Sequence, residues 1–268
     1  MQSSKKKKPQ LVYKPFHKGT FWNGGIVKQA LRLFCYFLFF TIMYVIVGSS
    51  LTVGGTVVRV IANGLILLVC AGVVYNSGIA SGDGDVALGE IVHTRLQEGK
   101  PVAEKDKKQC YHPLRGLVVF GLAILPVLLI TVPAAIGAEK QLYNQQALPD
   151  WVKSFSSHDE IAAPLAYYQA DGGRGLMDVL KLLSRLMVYP FICMVSSENL
   201  DALLWIDRLA PVLAILPGVA YPIGYMAGPA SRAKVHGDIA RNKRKQIRKQ
   251  KKQVQARRAA REEKNELI

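Results

Sequence analysis

Cys110 and His112, with His93 earlier in the same polar stretch, are the side chains of this sequence best suited to grip a metal ion. A structural zinc site takes four ligands, usually from two close pairs; here a single C-x-H stands without a second pair, so no metal centre is expected. His158, Asp159 and Glu160 offer an imidazole and two carboxylates, the material of acid–base catalysis. Ser157 to Glu160 also reads S-x-x-E, the capping box that opens a helix, and that reading is preferred. Ser81 to Asp85, "SGDGD", lacks a Walker lysine and the full ligand ladder of a calcium loop, and reads as a turn. Neither G-x-S-x-G nor H-E-x-x-H occurs. The sequence is therefore read as non-enzymatic and without a cofactor.

A second set of polar residues lies in greasy surroundings. Arg59 and Asn63 fall one turn apart on one helix face, Arg185 sits within an apolar stretch, and Asp207 and Arg208 stand at the edge of the last apolar run. Ionisable groups inside a bilayer are costly and often mark a pathway, so these five residues form a candidate intramembrane polar site. On that reading the protein is a small transporter or a transporter subunit. The plainer reading has Arg59 snorkelling to the headgroups and Asp207 and Arg208 lying at the interface.

The most distinctive constellation is cationic. Arg241, Lys243, Arg244, Lys245, Arg248, Lys249, Lys251, Lys252, Arg257 and Arg258 crowd a stretch rich in helix formers, with Ile247 and Val254 as its only large apolar residues. Such a helix cannot bury a face of its own and needs an anionic surface to order it. Candidate partners are ribosomal or other RNA, anionic lipid, or a protein; each phosphate neutralised also releases counterions. In composition the tail resembles the ribosome-binding tails of Oxa-type membrane insertases, which implies a ribosome as partner. The likeness covers the tail alone and pairs no individual residues. The competing reading is a topological anchor resting on anionic lipid.

These residues have to be positioned by elements that composition makes legible. The chain of 268 residues is 50% apolar and carries a formal charge of +16, a pairing that points to segregated greasy and basic blocks. Residues 1–32 form a basic N-terminal segment with eight Lys or Arg and no acid; residues 229–268 form a basic tail with fourteen against four acids. Cys35, Cys70 and Cys193 lie in apolar runs and Cys110 in a polar one, so all four are read as thiols. The first apolar run is too long for a signal-peptide core and reads as an anchor that stays.

Four spans are expected, each of about 20 residues, enough at about 1.5 Å per residue to cover roughly 30 Å of hydrocarbon. A hairpin over 33–75 holds the first two, Leu33 to Val53 and Val57 to Tyr75, turning at Gly54 and Gly55. The third is 114–136, with Pro126 and Pro133. The fourth is 209–228, with Pro211, Pro217 and Pro222, where Ala214, Gly218, Gly224 and Gly228 allow close packing against neighbours or a second copy. Between them, 76–113 is a loop with an amphipathic helix capped by Asp85 and stopped at Gly99 and Pro101. Residues 137–208 form an outer loop.

Within that loop, "DVLKLLSRLMVYPFICM", Asp178 to Met194, is marginal. As a fifth span it would bury Lys181 and Arg185 at roughly 2.5–3.5 kcal/mol each, against roughly 0.3–0.6 kcal/mol returned by each of about a dozen apolar residues. The sum is near zero, so flanking charge decides. Four spans place both basic segments inside, as the positive-inside rule asks; five would put the tail outside. The stretch is therefore expected at the outer interface or dipping partway in, bent at Pro190. A fifth span gains if Glu198 or Asp207 neutralises Arg185. The expectation is an all-helical polytopic protein of four transmembrane helices, with an interfacial or re-entrant helix and a basic C-terminal helix. It lies in a plasma membrane with its N- and C-termini cytoplasmic. It acts as a membrane component that docks an anionic or protein partner. The absence of any N-x-S/T acceptor fits a bacterial source.

Overall fold

In a computed structural model, residues 11–50, 55–138, 175–195 and 199–266 are described. The described residues are helical or irregular, without a strand. In chain order the helices are α1 (Ile26–Ser50), α2 (Thr56–Gln97), α3 (Glu104–Gln109), α4 (Arg115–Ile136), α5 (Leu176–Met187), α6 (Tyr189–Met194), α7 (Leu200–Ile215), a 3-10 turn (Leu216–Val219), α8 (Ala220–Met226) and α9 (Gly228–Glu266). Four stretches among them are long and apolar enough to cross a membrane: Ile26–Gly48, Val57–Gln97, Arg115–Ile136 and Asp201–Met226. The helix expected at Ser157 to Glu160 lies outside the described residues.

Contacts divide the chain into two units, one drawn from 24–76 and 116–223, the other from 1–23, 77–115 and 224–268. In the first, the apolar unit, a core gathers Leu33, Phe37, Phe40 and Tyr44 of α1, Cys70 and Val74 of α2, Val119, Ala123 and Val127 of α4, and Ala210 and Ala214 of α7. Gly218 is essential to the tight packing: a Cβ there would overlap the Phe37 ring and meet Phe120 at 2.9 Å. The outward faces are equally apolar. Phe39 and Ile42 on α1, Ile61, Leu65 and Leu68 on α2, and Leu125 and Leu129 on α4 are all exposed, far more greasy surface than a water-soluble fold presents.

The marginal stretch forms two short helices, α5 of 12 residues and α6 of 6. The break falls at Val188, and Pro190 occupies the first turn of α6 instead of making the bend itself. The stretch packs on α1 and α7. Its orientation is inverted relative to a soluble amphipathic helix. Ser184 and Val188 are buried and Arg185 is half-buried, while Leu176, Val179, Leu182 and Leu183 are exposed. Polar atoms turned inward and leucines turned outward suit a lipid surrounding.

In the other, polar, unit the largest departure from expectation is α2. It was expected to end near Tyr75, with a turn at Ser81 to Asp85 and a new helix capped by Asp85; instead it continues unbroken to Gln97. Tertiary packing overrides the weak propensity of Gly82 and Gly84. Gly78, Gly82, Val86, Gly89 and Val92 form one buried stripe. At Gly89 a Cβ would come within 2.8 Å of the His17 carbonyl oxygen, and at Gly82 it would strike that of Tyr225. The glycines are where other backbone lies directly on the helix. α2 ends in a Schellman motif: Gly99 takes φ 69°, Lys100 N–H donates to Arg95 O at 2.9 Å and Gly99 N–H to Leu96 O at 3.2 Å.

The last apolar helix also starts earlier than expected, at Leu200 instead of Leu209. Asp207 and Arg208 therefore lie inside α7 and do not mark its edge. Asn199 caps it, accepting from Ala202 N–H at 3.1 Å.

Candidate functional site

The polar unit concentrates the charged chemistry of the described chain. Arg115, first residue of α4, is 1% exposed, and its guanidinium is held from three directions. Nη1 donates to Asp85 Oδ2 at 2.7 Å and to Gln109 O at 2.7 Å, and Nη2 donates to Lys108 O at 2.9 Å. The Tyr225 hydroxyl donates to the same Asp85 oxygen at 2.6 Å. Tyr111 stacks on Tyr225 with ring centroids 5.3 Å apart, and Phe16 meets Tyr111 edge-on at 5.9 Å. An arginine taken out of water is tolerated because charge and hydrogen bonds replace its hydration together.

Beside this knot α9 is rooted on α2. Glu90 accepts from Arg232 Nε at 3.2 Å and lies 2.7 Å from His236 Nε2. A strap of irregular chain, residues 11–23, runs along both. Val12 N–H donates to Ala233 O at 3.1 Å, His17 N–H to Gly89 O at 3.0 Å and Gly19 N–H to Tyr111 O at 3.0 Å. Lys14 and Pro15 of the strap share an open cleft of about 740 Å³ with Glu90, His93, Arg95 and Lys100.

Past this root, every side chain from Arg241 to Gln255 is exposed. Arg241, Lys243, Arg244, Lys245, Arg248, Lys249, Lys251 and Lys252 belong to that span. Arg257 and Arg258 continue the helix, their side chains outside the described set. At 100° per residue these ten positions fall on nearly every side of the helix, with no apolar stripe between them.

The intramembrane candidates are brought together in part, all within the apolar unit. Arg185 and Asp207 form a two-pronged pair, Nε to Oδ1 at 3.1 Å and Nη2 to Oδ2 at 2.6 Å. Asn63 is 1% exposed and donates to Arg59 O at 2.8 Å, one turn back. Arg208 points outward and is exposed.

The metal candidates do not converge: His112 lies beside Phe21, His93 lines the cleft, and among the described residues no group of three His, Cys, Asp or Glu is placed to hold an ion. Burial pushes the Cys110 thiol up, with the Arg115 charge pulling the other way, and burial also raises the Tyr111 phenol. A buried, protonated thiol is a poor nucleophile and a poor metal ligand.

Sequence reasoning missed the Asp85–Arg115–Tyr225 knot and the Glu90 clasp. No local signal pointed to them. The partners of Asp85 and Glu90 lie 30 to 146 positions away, beyond any local period. Compared with protein-family models, curated proteins and solved structures, the chain matches none.

Proposed function

We propose that this protein is a non-enzymatic component of a plasma membrane that crosses it four times and uses α9 to dock a polyanion, the RNA of a ribosome. The observation that carries the reading is the all-round distribution of exposed Lys and Arg on α9. A bilayer engages one side of a helix lying on it, and within a Debye length of about 8 Å. At about 1.5 Å per residue the 39 residues of α9 extend about 58 Å, so lipid could hold the helix only along one flank and would leave the opposite charges unmatched. A folded RNA surrounds such a helix with phosphate on several sides.

The crossing number draws support from the polar unit. Hydrogen bonds from Val12 to Ala233 and from Arg232 to Glu90 join chain from before α1, from the last turns of α2, and from after α8. An even number of crossings returns these three segments to one side, and the positive-inside rule makes that side cytoplasmic. The Arg185–Asp207 pair does relieve the main cost of a fifth crossing. At about 18 Å and about 9 Å, however, neither α5 nor α6 spans roughly 30 Å of hydrocarbon. A partial dip fits both facts.

Membranes from cells lacking residues 241–268 are expected to lose cosedimenting ribosomes. In the intact protein, six to ten phosphate contacts predict an affinity loss of about 10³- to 10⁵-fold between about 50 and about 200 mM salt. Ribosome binding that is unchanged by the deletion would end the reading.

A further inference from the structure

We infer that the end of the strap and the residue before α4 form an interfacial lipid anchor, Phe21, Trp22 and Leu114 flanked by Lys18 and Lys108, which seats in the headgroup layer of an anionic leaflet. The three apolar side chains are 55%, 53% and 53% exposed although the two segments that carry them are tied to each other. Thr20 N–H and Asn23 Nδ2 donate to Lys108 O at 3.3 Å, and the Thr20 hydroxyl donates to Trp22 O at 2.7 Å. Phe21 lies 6.3 Å from the His112 ring, whose Nδ1 accepts from Leu114 N–H at 3.3 Å. The patch is thus held in place and still leaves its greasy atoms uncovered.

Its position in the chain indicates what covers them. Trp22 stands within one turn of Ile26, where the first apolar helix begins, and Leu114 immediately precedes Arg115, where another begins. Both therefore sit where a chain enters hydrocarbon, the level at which tryptophan is favoured because its ring is amphipathic. The exposed Lys18 and Lys108 match an anionic headgroup layer in charge, as an apolar protein partner would not. This inference rests on the membrane reading and is independent of what α9 binds.

The test uses the full-length chain with Trp151→Phe and Trp205→Phe, leaving Trp22 as the only tryptophan. It is reconstituted in vesicles of zwitterionic and anionic phospholipid brominated either near the carbonyl or near the methyl end of the acyl chain. Trp22 emission is expected to be blue-shifted and to lose more intensity to the shallow bromine than to the deep one. Lys18→Glu with Lys108→Glu is expected to shrink that loss. Leu114→Trp in a chain without other tryptophans should repeat the shallow pattern, which guards against a misfolded first variant. Emission quenched by aqueous iodide but by neither lipid, or shielded from all three by a bound protein or second copy, would overturn the inference. A chain keeping only Trp205, which is exposed on α7, reports separately whether the apolar helices lie in lipid.

Discussion

Two arginine–aspartate pairs carry similar chemistry in different settings. Arg115 and Asp85 are 1% and 16% exposed and share their knot with two backbone carbonyls and a tyrosine hydroxyl; Arg185 and Asp207 are 25% and 14% exposed and face each other two-pronged, beside outward-turned leucines. In the first, a carboxylate and two backbone carbonyls replace water at Nη1 and Nη2 of the guanidinium. In the second, the carboxylate meets the guanidinium edge with paired hydrogen bonds. The difference teaches that the same ion pair can be a keystone joining distant chain or a local neutraliser that lets a marginal helix stay near lipid.

The comparison breaks most directly at Asp85. Asp85→Ala strands a fully buried guanidinium and removes the acceptor of Tyr225, and should cost about 3–5 kcal/mol. Because a whole protein is stable by only about 5–15 kcal/mol, the variant is expected to unfold far earlier on heating in detergent, or to fail to purify as a single species. Asp207→Ala should cost less, about 1–3 kcal/mol, since Arg185 keeps partial access to its surroundings. A smaller drop in the unfolding midpoint, with the polar unit still protease-resistant, is the expected readout. If Asp207→Ala proves the more damaging of the two, the distinction between keystone and neutraliser is wrong. Tyr225→Phe sharpens it at the small end: it deletes one donor to Asp85 while keeping the ring stack on Tyr111, for about 0.5–1.5 kcal/mol.

Much of the apolar unit was legible in the sequence because hydropathy reports directly on what a bilayer accepts. The third span was placed to within a residue, and the stop at Gly99 followed from a glycine that can take positive φ. The start of α7 was misplaced for a physical reason: Asp207 and Arg208 look like the edge of a span until Arg185 is seen to satisfy Asp207. The cost of burying Lys181 and Arg185 was weighed, but the inward turn of Arg185 on α5 depends on a partner, Asp207, that lies on another helix. Least legible was the polar unit. Gly82 and Gly84 spell a turn when read locally, while in the fold the Tyr225 backbone lies directly against Gly82 and the stretch is helix. For the candidate site, the basic positions of α9 were read from composition, while the root that fixes them was not.

The Glu90 clasp also bears on how the chain assembles during synthesis. Asp85 receives the Tyr225 hydroxyl from 140 positions downstream, and Glu90 receives Arg232 and His236 from 142 and 146 positions downstream. At about 5–20 residues per second, the ribosome needs roughly 7–30 seconds to deliver those partners. Through that interval Glu90 lacks both partners and Asp85 holds only Arg115, while the strap can tie to Gly89 and Tyr111 but not yet to Ala233, so the polar unit is complete only when its late segment arrives. Closure of the clasp is in this sense a completion signal, given only by a chain translated past residue 236.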